Sequence, residues 1–173
     1  MNVASSTRLP RAKLASRARA LAALLFAAIA THGAWAAEKK NFFDDPFVRV
    51  TAGVADCPIP EGPLITEEQM HAEAHVRTER GTRCFQAGQC RLPNAYLYDK
   101  EIIARVKKAV EYDGRFADTS VWALGQRRWV VLQGCVRRKS DAEALEHLVR
   151  GIDDVERVVN QLVVRSSSER AKR

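Results

Sequence analysis

"SVWALGQRRWVVLQG", residues 120–134, decides the fold. Val121, Trp122, Trp129, Val130 and Val131 stand on either side of Gly125-Gln126-Arg127, so β-branched and aromatic runs flank a tight reversal. That pattern predicts a β-hairpin. A hairpin alone is marginally stable in water, so the neighbouring segments must cover it. Upstream, "DKEIIARVKKAV" (99–110) repeats Ile102, Ile103, Val106, Ala109 and Val110 at three- and four-residue spacing. This predicts an amphipathic helix capped by Asp99 and closed by Gly114. Downstream, "SDAE" (140–143) has the Ser-x-x-Glu form of a capping box, and Leu145, Leu148, Val149 and Ile152 follow as a core-facing stripe. "VERVVNQLVV" (155–164) then reads as a last strand.

The order helix, strand, strand, helix, strand, an α+β arrangement, resembles the BON domain, named for bacterial osmotically induced periplasmic and nodulation proteins. The resemblance rests on "DKEIIARVKKAV", on "VVLQGCV" at the hairpin end, and on "GIDDVERVVNQLVV", with its Gly-hydrophobic-x-x-Val-x-x-Val-x-Asn pattern. It covers about residues 98–165. It implies a small mixed three-stranded sheet with both helices on one face. Relatives with two copies are known, but residues 37–97 show no second copy, and Cys135 is a local addition to the family pattern.

Residues 1–36 read as a secretory signal peptide. Arg8, Arg11, Lys13, Arg17 and Arg19 precede the apolar run "ALAALLFAAIA", and Ala34 and Ala36 satisfy a small-residue cleavage site after Ala36. The apolar run falls well short of the ~20 residues a spanning helix needs. This leader places the protein in the periplasm. It also changes the charge: the chain carries +7, but residues 37–173 hold 23 basic and 21 acidic side chains, so +2 remains. A near-balanced exported protein is no nucleic-acid binder by charge.

Residues 37–97 form an extension. Pro46, Pro58, Pro60 and Pro63 exclude a helix and most internal strand positions from its first half. "TEEQ" (66–69) is a Thr-x-x-Gln capping box that predicts a helix from about Glu67 to Arg80, ended by Gly81. An exported chain with four cysteines points to disulfides. Cys84 and Cys90 flank Gly88 closely enough to pair, which leaves Cys57 for Cys135. Three pairings are possible, and Cys84 or Cys90 reaching Cys135 stays open. Such bridges would staple a domain too small to be stable by burial alone and tie the extension to it. Residues 166–173 read as a disordered basic tail.

The sequence offers no catalytic constellation: no phosphate loop, no nucleophile elbow, no Cys-x-x-Cys pair. His71 and His75 stand four apart, a spacing that can ligate zinc or copper, but a solvated pair is the commoner reading, and neither metal nor cofactor nor small-molecule substrate is expected. The remaining candidates are cations: Arg127 and Arg128 in the hairpin turn, Arg137, Arg138 and Lys139 before the second helix, and the tail. With Trp122 or Trp129 beside them they suit an anionic bilayer surface. The resemblance implies a non-catalytic envelope protein that binds anionic phospholipid and supports envelope integrity or stress tolerance. The alternative is an interaction module of an envelope assembly or secretion complex, with Phe42, Phe43 and Phe47 of the extension as anchors.

Overall fold

The computed structural model describes residues 37–165. The expected leader and the basic tail lie outside the described residues. The elements are β1 (Phe47–Arg49), α1 (Glu67–Gln86), a 3-10 turn (Ala95–Tyr98), α2 (Asp99–Asp113), β2 (Ser120–Gln126), β3 (Trp129–Val136), α3 (Lys139–Arg150) and β4 (Arg157–Val164). The sheet order is β1-β2-β3-β4. β1 and β3 run antiparallel to β2, while β4 runs parallel to β3. A parallel neighbour needs a long crossover, which α3 supplies.

The helix-strand-strand-helix-strand core is therefore present, but the sheet has four strands rather than three. The fourth comes from the proline-dense extension. Directly after Pro46, Phe47, Val48 and Arg49 pair with Leu124, Ala123 and Trp122. Proline is tolerated there because β1 is an edge strand that begins just after it.

Strand alternation divides the sheet into two faces. Val121, Ala123, Val130 and Leu132 join Ile102, Ile103, Val106 and Val110 of α2 and Leu145 and Val149 of α3 in one core. Burial of each such side chain stabilises by about 1.5–3 kcal/mol relative to exposure. Trp122 and Cys135 alternate with these residues and point the other way. They form a second cluster with Val54 and Cys57, against which Phe47 packs. The extension thus covers that face around Trp122 and Cys135, while Trp129 and the outward residues of β4 stay partly or fully exposed.

Four local expectations are corrected. The hairpin turn is Arg127-Arg128, one residue beyond the predicted centre, and both residues have positive φ (57° and 65°). Such values mark the primed two-residue turns that match strand twist. Asp99 does not cap α2; its carboxylate reaches across to that turn. Ser140 is not the cap of α3 either, because the helix begins at Lys139 and Asp141 accepts the backbone N–H of Arg138 at 3.2 Å. Finally, α1 runs through Gly81 to Gln86. Gly81 is buried against Asn94, whose Oδ1 would lie 2.4 Å from an added Cβ, so the glycine serves a close approach and not a stop. The predicted Thr66–Gln69 capping box is present, with bonds of 2.9 and 3.2 Å.

Both preferred disulfides form, Cys57–Cys135 and Cys84–Cys90. A further anchor holds α1. The Arg77 guanidinium stacks between the Phe43 ring (4.1 Å) and the Tyr96 ring (3.9 Å) and donates two hydrogen bonds to the buried Asp45 carboxylate. Gln126 donates to the same carboxylate at 2.7 Å, which links α1 to the hairpin.

Candidate functional site

Arg127, Arg128 and Arg157 come together at the hairpin end of the sheet. Two consecutive arginines in left-handed backbone cost energy that asparagine or glycine would not. The cost is offset by Asp99, which is 1% exposed and accepts the N–H of Arg127 and of Arg128, each at 2.7 Å. Burial pushes the Asp99 carboxyl up to about 6, against the opposing pull of those two bonds. The turn therefore sits rigidly over the start of α2.

The two arginines then part. Arg128 turns inward: its Nε donates to the Asp154 carbonyl at 2.9 Å, its Nη1 to Cys90 Sγ at 3.0 Å, and its guanidinium lies over the Tyr98 ring at 5.3 Å. Arg127 turns to the half-exposed Trp129, with its guanidinium 4.5 Å from the ring centroid. Arg157, the register partner of Trp129 on β4, lies over the same ring at 4.6 Å. Among the described residues neither Arg127 nor Arg157 has an ion-pair partner. An indole carrying two such guanidiniums is a wet, cationic, aromatic surface, and the planar guanidinium fork matches phosphate oxygens in pairs.

Behind it, Arg91 and Arg105 lie 3.5 and 2.9 Å from the Asp154 carboxylate. The Arg105 hydrogen bond, with Arg91 adding to it, holds that carboxyl below the usual carboxylate range. Arg157 and Arg91 were not among the sequence candidates. Arg157 is paired with Trp129 by a parallel register, and nothing in a one-dimensional reading sets that register.

Arg137, Arg138 and Lys139 lie at the far end of β3, roughly 25 Å from the turn for an eight-residue strand. The two predicted clusters are therefore not one patch. Arg138 is paired with Asp141 at 2.9 Å, and Lys139 faces Glu143 at 3.6 Å. Arg137 has no ion-pair partner among the described residues. Trp122, the other aromatic candidate, is 5% exposed and belongs to the second core, so only Trp129 faces solvent.

His71 and His75 are exposed and stand 3.8 and 3.2 Å from Glu67 and Glu79 on their own helix. No group of three or more metal-ligating side chains occurs among the described residues. Phe43 and Phe47 are packed, under Arg77 and against the Trp122 cluster, while Phe42 is 37% exposed. No described helix is long and apolar enough to cross a membrane.

No curated protein matches the chain. A family model does: the BON domain matches residues 98–166, which begin at Tyr98 beside α2 and take in the hairpin, α3 and β4. The Asn160 of the sequence pattern earns its place in this fold, donating to the Ala142 carbonyl and to Glu146 Oε2 and accepting the Leu162 N–H, so it locks β4 to α3. With the helix order, the hairpin and this asparagine in place, residues 98–166 of the chain are a BON domain.

Proposed function

We propose that this is an exported, non-catalytic envelope protein that docks peripherally on anionic phospholipid through the hairpin end of its BON domain. The observation that carries the reading is the Arg127–Trp129–Arg157 stack, two guanidiniums with no ion-pair partner among the described residues on one partly exposed indole. Arginines close to an anionic surface are attracted by about 1 kcal/mol each, and an indole sits well at the headgroup level. Family membership supports the same reading, since BON domains are associated with phospholipid attachment and envelope integrity. The leader reading of residues 1–36 supports export to the periplasm.

Co-sedimentation of the purified protein with phosphatidylglycerol vesicles tests this. Binding at low salt, lost at high salt and lost with Arg127→Glu plus Arg157→Glu, is expected. Failure to bind at low salt would overturn it. Loss with Arg137→Glu alone, and retention in the hairpin-end double variant, would move the site to the other end of β3.

A second reading, a protein-interaction module, is favoured by one observation. β4 is a sheet edge, and its Val163 (56% exposed) and Ile59 of the extension (76% exposed) border a cleft of about 250 Å³. A protein partner that cross-links at Ile59 or Val163 in intact cells would favour this reading over the lipid surface.

A further inference from the structure

The two disulfides sit in opposite chemical settings. Cys57–Cys135 is enclosed: its sulfurs belong to the second core with Trp122 and Val54, and the two residues are 9% and 2% exposed. Cys84–Cys90 is half-exposed at the end of α1, beside the exposed Phe85 and beside Gly88, around which there is open space. Its two sulfurs also differ from each other. Cys90 packs against the main core and accepts a hydrogen bond from Arg128 Nη1 at 3.0 Å. Cys84 lies in the last turn of α1, where the helix dipole is negative and a thiolate is disfavoured.

A guanidinium against one sulfur of a disulfide stabilises the thiolate that this sulfur becomes, and a better-stabilised thiolate leaves faster. We propose that Cys84–Cys90 is a site of thiol–disulfide exchange with a dithiol reductant, in which Cys84 is the sulfur attacked and Cys90 the one that leaves.

The thiolate of the dithiol attacks Cys84 Sγ. The Cys84–Cys90 bond breaks, and its electron pair departs on Cys90 Sγ as a thiolate held by the Arg128 guanidinium. The second thiol of the reductant, deprotonated, then attacks its own sulfur in the mixed disulfide and expels the Cys84 thiolate, which takes a proton from water. The reductant ends as a disulfide and the protein as a dithiol, a transfer of two electrons. The enclosed Cys57–Cys135 bridge stays closed, so reduction frees the end of α1 while the extension remains fastened to the sheet. This assignment rests on the contacts of Cys90 and not on the lipid reading.

Graded dithiothreitol treatment of the purified protein, followed by alkylation and peptide mass mapping, is the test. The expected result is alkylation of Cys84 and Cys90 while Cys57 and Cys135 remain joined, with opening slowed severalfold by Arg128→Gln and preserved by Arg128→Lys. Simultaneous opening of both bridges, earlier opening of Cys57–Cys135, or no effect of Arg128→Gln would overturn the proposal. A second measurement guards against a folding defect in the Arg128 variants. With Cys84→Ser, the lone Cys90 thiol, followed by its ultraviolet thiolate absorbance, should titrate below the ordinary cysteine value of about 8.5. Titration at or above that value would equally overturn it.

Discussion

The Asp99 carboxylate and the Arg128 backbone N–H are joined at 2.7 Å, and this bond fixes the hairpin turn to the first turn of α2. The same carboxylate accepts from Arg127, so one buried acid supports two left-handed residues. Arg127 is thereby free to face Trp129 while Arg128 reaches Cys90.

Because burial raises the Asp99 carboxyl to about 6, the folded protein binds this proton more tightly than the unfolded chain does. The Asp99 contribution to stability is then fullest below the ordinary aspartate value and is lost as pH rises through about 6. Roughly two pH units at about 1.4 kcal/mol each put the loss on the order of 3 kcal/mol. Urea unfolding of the native protein and of Asp99→Asn between about pH 4 and 7 should show their stability difference shifting against the native protein by this order; a constant difference would refute it.

Asp154 behaves with the opposite sign. Its carboxyl is held low, first by the hydrogen bond from Arg105, so its contribution is present above the ordinary aspartate value and fades as the solution is acidified below it. Asp154→Asn should therefore weaken the protein at neutral pH and have little effect in strong acid, measured by the same unfolding series.

The two disulfides should differ in their contribution to stability. In the chain-entropy model the Cys57–Cys135 bridge, with a separation of 78 residues, contributes about 4.5 kcal/mol. The Cys84–Cys90 bridge, with a separation of 6, contributes about 2 kcal/mol. Thermal unfolding of the two paired Cys→Ala variants should show the larger drop for Cys57 with Cys135.

Asn160→Ala removes bonds to Ala142, Glu146 and Leu162 together. A loss of about 1–3 kcal/mol is expected, since the Ala142 carbonyl and the Leu162 N–H each lose this partner. Urea unfolding would measure it, and an unchanged midpoint would show that Asn160 is not the lock between β4 and α3.

Gly125→Ala places a Cβ 2.8 Å from Ile103 Cγ1 and 3.2 Å from Pro46 Cγ, beneath both α2 and the extension. Overpacking of about 1–3 kcal/mol is expected in the same assay.

The periodicities in residues 98–165 were sufficient for the core order of elements, because a 3.6-residue stripe and a β-branched run each demand one kind of local structure. The Thr66–Gln69 cap and the Gly114 stop were legible for the same reason: their signals lie within a few residues of their effect. The cysteine pairing was half legible, since only the short Cys84–Cys90 spacing limits the choices. What the sequence alone could not decide is everything carried by long-range packing. The extension supplies β1 because Phe47–Arg49 pair along the open edge of β2; Gly81 lies inside a helix where Asn94 approaches it; Asp99 leaves its cap position because the hairpin offers two N–H donors. The candidate site follows the same division. Arg127 was visible as a turn cation, but Arg157 joins it only through the parallel pairing of β3 with β4, and Arg128 is withdrawn from the surface by contacts with Cys90, Tyr98 and Asp154. A sequence specifies which side chains are charged; only the tertiary structure decides which of those charges find partners.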